Sequence, residues 1–186
     1  MTPRIDWTML GAAVEFYKSF GYQYIEVPYA VPEEFIRLTL PPQYEPDRVE
    51  GLGCLVGSAE QSLLSLDLQD GSYMAVSPCF RPEPVLNEFY QRHFMKVELF
   101  QIGDLMPMSM MEDAHMFMSR YATVEVLETP EGWDLTVDGI EVGSYGMRQA
   151  GIYKWACATG LALPRFDVAR RLQLGKSIRN PELIRL

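Results

Sequence analysis

From Trp7 onward, apolar residues recur at Leu10, Val14 and Tyr17, with Ala13, Phe16 and Phe20 widening the stripe. That spacing predicts an amphipathic helix, and Gly21 ends it. Tyr22 to Val27 mixes aromatic and β-branched residues and stops at Pro28, which predicts a strand. Residues 40–53 hold Pro41, Pro42, Pro46, Gly51 and Gly53 among charges, a loop and a candidate lid. Ser58 to Leu68 predicts a short helix with Leu63, Leu64 and Leu66 inward, and Asp70-Gly71 turns the chain into a strand over Tyr73 to Val76. Prolines then interrupt the stretch from Phe80 to Asn87. Across Phe94 to Ile102, Phe94, Lys96, Glu98 and Phe100 alternate with Met95, Val97 and Leu99. Both faces carry specialised side chains, so this strand is expected to line a site.

A Met-rich helix is expected at 107–120. Thr123 to Leu127 and Asp134 to Val137 flank the turn Pro130-Glu131-Gly132 as a hairpin. Strands over Ile140 to Met147 and Ile152 to Ala156 precede a last helix from about Asp167 to Leu174. Hairpin strands with helices before, between and after predict the α+β class, an antiparallel β-sheet flanked by helices. Met106, Met108, Met110, Met111, Met116 and Met118 are assigned to packing. Glu112, Asp113 and His115 are assigned to a solvated helix face.

The chain has 186 residues and 48% apolar content, enough to bury one core, so residues 1–186 are expected to form a single domain. No apolar run reaches the roughly 20 residues of a membrane span, and the N-terminus lacks a secretory apolar region. A soluble cytoplasmic protein without a membrane partner is expected. A formal net charge of −9 disfavours a polyanionic partner. Cys54, Cys79 and Cys157 fit neither a disulfide framework nor a zinc site, and they are expected as buried thiols. With His93 and His115 the only histidines, a bound metal would need oxygen ligands.

Candidate chemistry gathers late in the chain. Phe80-Arg81-Pro82-Glu83 places a cation and a carboxylate two residues apart, on one face if the chain is extended. Arg92, two residues before Phe94, would bring a second guanidinium beside a ring able to stack on a purine. Thr159 to Phe166 offers a small-residue run and a third cation, Arg165, where backbone and ligand can approach closely.

In this order and combination the residues resemble the catalytic core of class II aminoacyl-tRNA synthetases, nearest the seryl-type enzymes. The family's first motif, a helix, strand and proline at a dimer interface, resembles residues 7–28 and implies a homodimer. Its second motif resembles Phe80-Arg81-Pro82-Glu83 and Arg92-His93-Phe94. The resemblance implies that Arg81 holds the α-phosphate of ATP, Glu83 reads the adenine amino group, Arg92 meets the γ-phosphate and Phe94 stacks on adenine. The third motif resembles Gly160 to Arg165, with Arg165 against the γ-phosphate. Gly57-Ser58-Ala59-Glu60 and Phe94-Met95-Lys96-Val97-Glu98 resemble seryl-type segments around the amino acid, and Thr159 matches a threonine there. Ser58, Glu60, Glu98 and Thr159 are thereby implied in substrate binding. Glu141-Val142-Gly143-Ser144 resembles the acidic strand whose glutamate and serine bind Mg2+, which implies Glu141 and Ser144 as metal ligands.

A carboxylate that attacks an α-phosphate must overcome repulsion between anions, so cations around the phosphates carry the catalysis and no protein nucleophile is required. Arg81 and Arg165 are the expected catalytic residues. Ala162 and Pro164 depart from the family's third motif, Tyr90 stands where an arginine is usual, and no tRNA-binding appendage is evident. The expected activity is therefore ATP- and Mg2+-dependent activation of a small amino acid, of serine, glycine or alanine size. Its acceptor is a non-tRNA or unknown one, with a carrier protein one candidate. The alternatives are a noncatalytic paralogue that binds a ligand to regulate a partner, and tRNA charging with a separate recognition chain.

Overall fold

The computed structural model describes residues 5–83, 85–151 and 153–179, with side chains as far as Lys176. Helix α1 (Trp7–Ser19) starts where the Asp6 side chain accepts a hydrogen bond from the Met9 N–H at 2.9 Å, a side-chain N-cap. Two short strands, β1 (Gln23–Tyr24) and β2 (Ala30–Val31), and helix α2 (Glu33–Arg37) follow. Next come β3 (Arg48–Val49), β4 (Gly53–Leu55) and helix α3 (Ala59–Leu64). The long hairpin is β5 (Gly71–Phe80) and β6 (His93–Ile102), and helix α4 (Pro107–Met118) leads to β7 (Glu125–Thr129) and β8 (Gly132–Val137). Strands β9 (Ile140–Ala150) and β10 (Tyr153–Leu163) precede helix α5 (Arg165–Arg179).

Among the described residues, seven strands form one sheet in the order β1-β5-β6-β10-β9-β8-β7, antiparallel except for β1 beside β5. The α+β class is thus confirmed. Helices α1, α4 and α5 cover one face, where Phe16, Tyr17, Met110, Phe117 and Phe166 pack on Met74, Val97, Leu99, Tyr145 and Leu161. On the opposite face α3 covers only one end, through Ala59 and Leu63 on Tyr73, Phe100 and Trp155. The rest of that face is open and holds the site.

Several expectations need correction. The strand over Tyr22 to Val27 shrinks to two residues: Gln23 and Tyr24 pair with the edge of β5, and the last bond to it is from the Ile25 N–H to the Met74 carbonyl at 2.9 Å. The helix from Ser58 ends at Leu64. Strand β5 runs far beyond Tyr73–Val76, and β10 continues past Ala156 to Leu163 because β6 supplies partners along its whole length. Ile152, placed at the start of that strand, lies outside the described residues, as does Pro84. The final helix spans Arg165–Arg179 rather than 167–174. Residues 40–53 are not a bare loop: β3 pairs with β4, and Glu33 holds both Arg37, at 3.0 Å, and Arg48. None of residues 40–53 lines the cavity described below. On α4, Asp113 is not simply solvated, since it accepts from the Tyr22 hydroxyl at 2.9 Å. Burial raises its carboxyl pKa despite that bond. Met110, Met111 and Met118 are buried, whereas Met106, Met108 and Met116 are exposed.

Candidate functional site

Alternation along the strands divides the chemistry between the two faces. Phe94, Lys96 and Glu98 of β6 point to the open face, and Glu98 stands opposite Thr159 of β10. Two irregularities in register bring further residues to this face. In β10 the ladder passes from Thr159 to Leu161, leaving Gly160 unpaired. This bulge lets Thr159 and Ala162, three residues apart, both face the cavity while Leu161 turns into the core. Gly160 is required there, since a Cβ would lie 2.9 Å from Tyr17 Cε2, and its carbonyl accepts from the Tyr17 hydroxyl at 2.7 Å. In β9 the pairing steps from Gly143 to Glu141, so Val142 stays in the core while Glu141 and Ser144 both line the cavity. A regular strand would have separated them.

The cavity measures about 760 Å³. At the end nearest α3, the Lys96 ammonium lies 2.8 Å from Glu98, whose carboxylate also accepts from the Ser58 hydroxyl. Glu98 is 1% exposed, so this charge is held by partners rather than by water. Glu60, brought in by the first turn of α3, accepts from the Trp155 indole N–H at 2.7 Å and lies 3.2 Å from Arg148 Nε. Arg148 also donates to Cys157 Sγ at 3.2 Å. Burial opposes the charged form of Arg148, but its neighbours Cys157 and Glu60 outweigh it and raise the guanidinium pKa. Burial pushes the Cys157 thiol well up, reinforced by Glu60 and Glu98. It is therefore a neutral thiol and not a nucleophile.

Beside the N-cap of α3, where β5 ends, Arg81 Nε donates to the Gly57 carbonyl at 2.9 Å, and its guanidinium carbon stands 5.1 Å from the Phe94 ring centre. Arg165, the first residue of α5, is 3.6 Å from Glu141. The β5–β6 loop lies on it: Arg165 Nε donates to the Phe89 carbonyl at 3.3 Å, and the guanidinium carbon is 4.5 Å from the Tyr90 ring centre.

The cavity thus brings together Ser58, Glu60, Arg81, Phe94, Glu98, Glu141, Ser144, Thr159 and Arg165. Two expected residues do not line it. Glu83 lies past the end of β5, where its N–H bonds back to the Arg81 carbonyl at 2.8 Å; this tight turn removes the shared extended face expected for Arg81 and Glu83. Arg92 contributes only its carbonyl, to the Arg81 N–H at 2.9 Å, and the residue is exposed. Arg81, not Arg92, is the guanidinium beside Phe94. Sequence reasoning missed the roles of Lys96, Arg148 and Trp155 in the cavity wall. Lys96 lay on the face already marked, but Arg148 and Trp155 meet only through the register of β9 against β10.

An Mg2+ ion commonly keeps several waters and takes one or two protein oxygens together with substrate phosphates. Glu141 and Ser144 on one face fit that donor set. Among the described residues no group of three or more His, Cys, Asp or Glu is placed to hold a metal without a nucleotide.

The architecture is the catalytic-domain fold of class II aminoacyl-tRNA synthetases. A pyrrolysyl-tRNA synthetase of Desulfitobacterium hafniense matches with TM-score 0.67 and 13% identity, over 88% of this chain and 68% of its own. A second structure of that organism's pyrrolysyl-tRNA synthetase gives TM-score 0.66 and 14% identity, over 89% and 69%. The cytoplasmic serine-tRNA ligase of Naegleria fowleri, in complex with AMP, gives 0.65 and 17% identity, over 87% of this chain and 52% of that one. The near-equal scores do not favour the seryl branch. Likeness at such identity establishes the fold alone. No protein-family model and no curated protein matches the sequence. Among the described residues no helix is long and apolar enough to cross a membrane.

Proposed function

We propose that the chain is an ATP-dependent, adenylate-forming ligase that activates a small amino acid. One observation carries the reading: a single cavity is lined by Arg81, Phe94, Arg165 and Glu141 together with Glu60, Glu98, Ser58 and Thr159. An α-carboxylate oxygen bonds to the α-phosphorus of ATP as the bond to the departing pyrophosphate breaks, and no proton need move. Arg81 offsets the charge on the reacting phosphate, and Phe94 presents its ring to the purine. Arg165 faces the outer phosphates once it leaves Tyr90. Glu60 receives the substrate ammonium, while Glu98, already held by Lys96 and Ser58, shapes the floor. Bound Mg2+, held by Glu141 and Ser144, would supply further charge neutralisation. The exposed Trp7 and Phe20 support a homodimer through residues 7–28. The net charge of −9 disfavours a polyanion, which favours an acceptor other than tRNA, a carrier protein included.

A second reading, a noncatalytic paralogue that binds a ligand to regulate a partner, is favoured by Arg165 being engaged by Phe89, Tyr90 and Glu141 and by Arg92 lying off the cavity. Pyrophosphate exchange into ATP, tried with each amino acid, separates the two. Exchange with one amino acid, abolished in Arg81→Ala with the far-ultraviolet dichroism unchanged, supports the ligase; a flat response throughout leaves the regulatory reading.

A further inference from the structure

Arg148 is a cation of the cavity wall that the reading above does not use. Its side chain is 45% exposed and lines the cavity. Among the described residues only its Nε makes a hydrogen bond, to Cys157, so Nη1 and Nη2 are unpartnered at the cavity wall. Beside it, Glu60 takes the Trp155 and Arg148 contacts on Oε1 alone, and its Oε2 has no hydrogen-bond partner among the described residues. The neighbouring pair differs: both oxygens of Glu98 are taken by Lys96, at 2.9 and 2.8 Å. The Glu60–Arg148 pair therefore offers a ligand one acceptor and one forked donor, side by side.

We propose that the activated substrate is a dicarboxylic amino acid of aspartate or glutamate size, its ammonium on Glu60 Oε2 and its second carboxylate on the Nη groups of Arg148. This rests on the ligase reading, which commits the α-carboxylate to the phosphate held by Arg81. Arg81 and Phe94 stand at one end of the cavity; Arg148 pairs in register with Trp155 at the other, so an anion on Arg148 is a second one. The Arg148 guanidinium rests against Cys157, two residues along β10 from Thr159, which is roughly 7 Å of strand. A side chain of one or two methylenes ending in a carboxylate spans that interval. A carboxylate meets the guanidinium fork with two acceptors, whereas an amide offers one acceptor and turns N–H donors toward other donors. Serine, glycine and alanine carry no group that reaches the Nη atoms, which then stay with water and add nothing to binding.

Pyrophosphate exchange and calorimetric titration, run with aspartate, glutamate, asparagine, glutamine, serine, glycine and alanine, test this. One acid is expected to exceed its own amide about tenfold or more in kcat/KM. Arg148→Gln should bring the ratio near one by raising KM for the acid, and Arg148→Lys should keep part of the preference, with folding of both followed by circular dichroism. Exchange with serine, glycine or alanine and with neither acid overturns this inference and leaves the ligase reading standing. An acid preference unchanged in both variants overturns the role of Arg148, which then only clamps α3 to the sheet. Flat exchange throughout removes the ligase reading. The acid subsite is then decided by calorimetry alone, where aspartate or glutamate binding lost in Arg148→Gln retains it and no binding of either acid ends it.

Discussion

Replacing Lys96 by Met removes the cation from a carboxylate that has almost no water around it. Glu98 is 1% exposed along its side chain and Lys96 10%, so the charge left behind keeps only the Ser58 hydroxyl as a donor. Breaking a buried pair from one side costs about 3–5 kcal/mol. For a chain of 186 residues each kcal/mol lowers Tm by about 2–4 °C, so a fall of about 6–20 °C is expected. The double variant Lys96→Met/Glu98→Gln leaves no uncompensated charge, and the amide retains a polar partner in Ser58. It should be more stable than Lys96→Met alone, with a coupling of about 1–3 kcal/mol in a cycle completed by Glu98→Gln. Urea unfolding of the four proteins supplies the numbers. If Lys96→Met costs under about 1 kcal/mol, or if the double variant loses the sum of the singles, Glu98 is not held as an isolated charge and the account of the cavity floor fails.

Gly160→Ala sets a methyl 2.9 Å from Tyr17 Cε2 and should destabilise by about 1–3 kcal/mol, whereas the same change at Gly11, which has open space, should not; equal losses at both would refute the bulge argument. Burial pushes the Cys79 thiol up to about 11 from its ordinary value of 9.0, so the folded protein keeps a proton that the unfolded chain releases. The stability this gives is present below pH 9, lost as pH rises to 11, and worth about 3 kcal/mol; Cys79→Ala should flatten that limb of an alkaline unfolding curve. Cys157, shifted the same way, should resist alkylation at pH 8 until the protein unfolds. Calorimetry should find Mg2+ binding only when ATP is present, because Glu141 and Ser144 are too few to hold the ion alone; tight binding to the nucleotide-free protein would refute that assignment.

The sheet's antiparallel core was legible because period-two alternation in β6 and the Pro130-Glu131-Gly132 turn are local signals. Strand ends were not. Tyr22 to Val27 carries strong β-propensity yet pairs over two residues, while Cys157 to Leu163, rich in small residues, pairs along its length because β6 lies beside it. Propensity speaks for a segment; the partner decides where it ends. The same limit applied to the site. Arg81, Phe94 and Glu98 could be assigned from motif spacing, but Glu83 and Arg92 could not be excluded: a backbone turn after Arg81 displaces Glu83, and Arg92 pairs with Arg81 through its carbonyl while the residue stays exposed.

The two bulges show why spacing alone misleads at such a site. Residues three apart on a regular strand face opposite ways, so Glu141 with Ser144, and Thr159 with Ala162, would each be split between core and cavity. One extra residue in each strand returns both pairs to one face and sends Val142 and Leu161 to the other. The arrangement depends on small residues, since Gly160 admits the Tyr17 ring, and a Cβ at Gly143 would stand 2.3 Å from the Tyr145 hydroxyl. Those two tyrosines bond the backbone at Gly160 and Thr159, both at 2.7 Å, from within the core. Core packing beneath the sheet therefore fixes which polar groups face the cavity above it. Tyr17→Phe, which leaves the Gly160 carbonyl unpartnered but keeps the ring, should accordingly disturb ligand binding as well as cost about 1–3 kcal/mol of stability. Loss of stability with unaltered binding would show the bulge to be held by the strands alone.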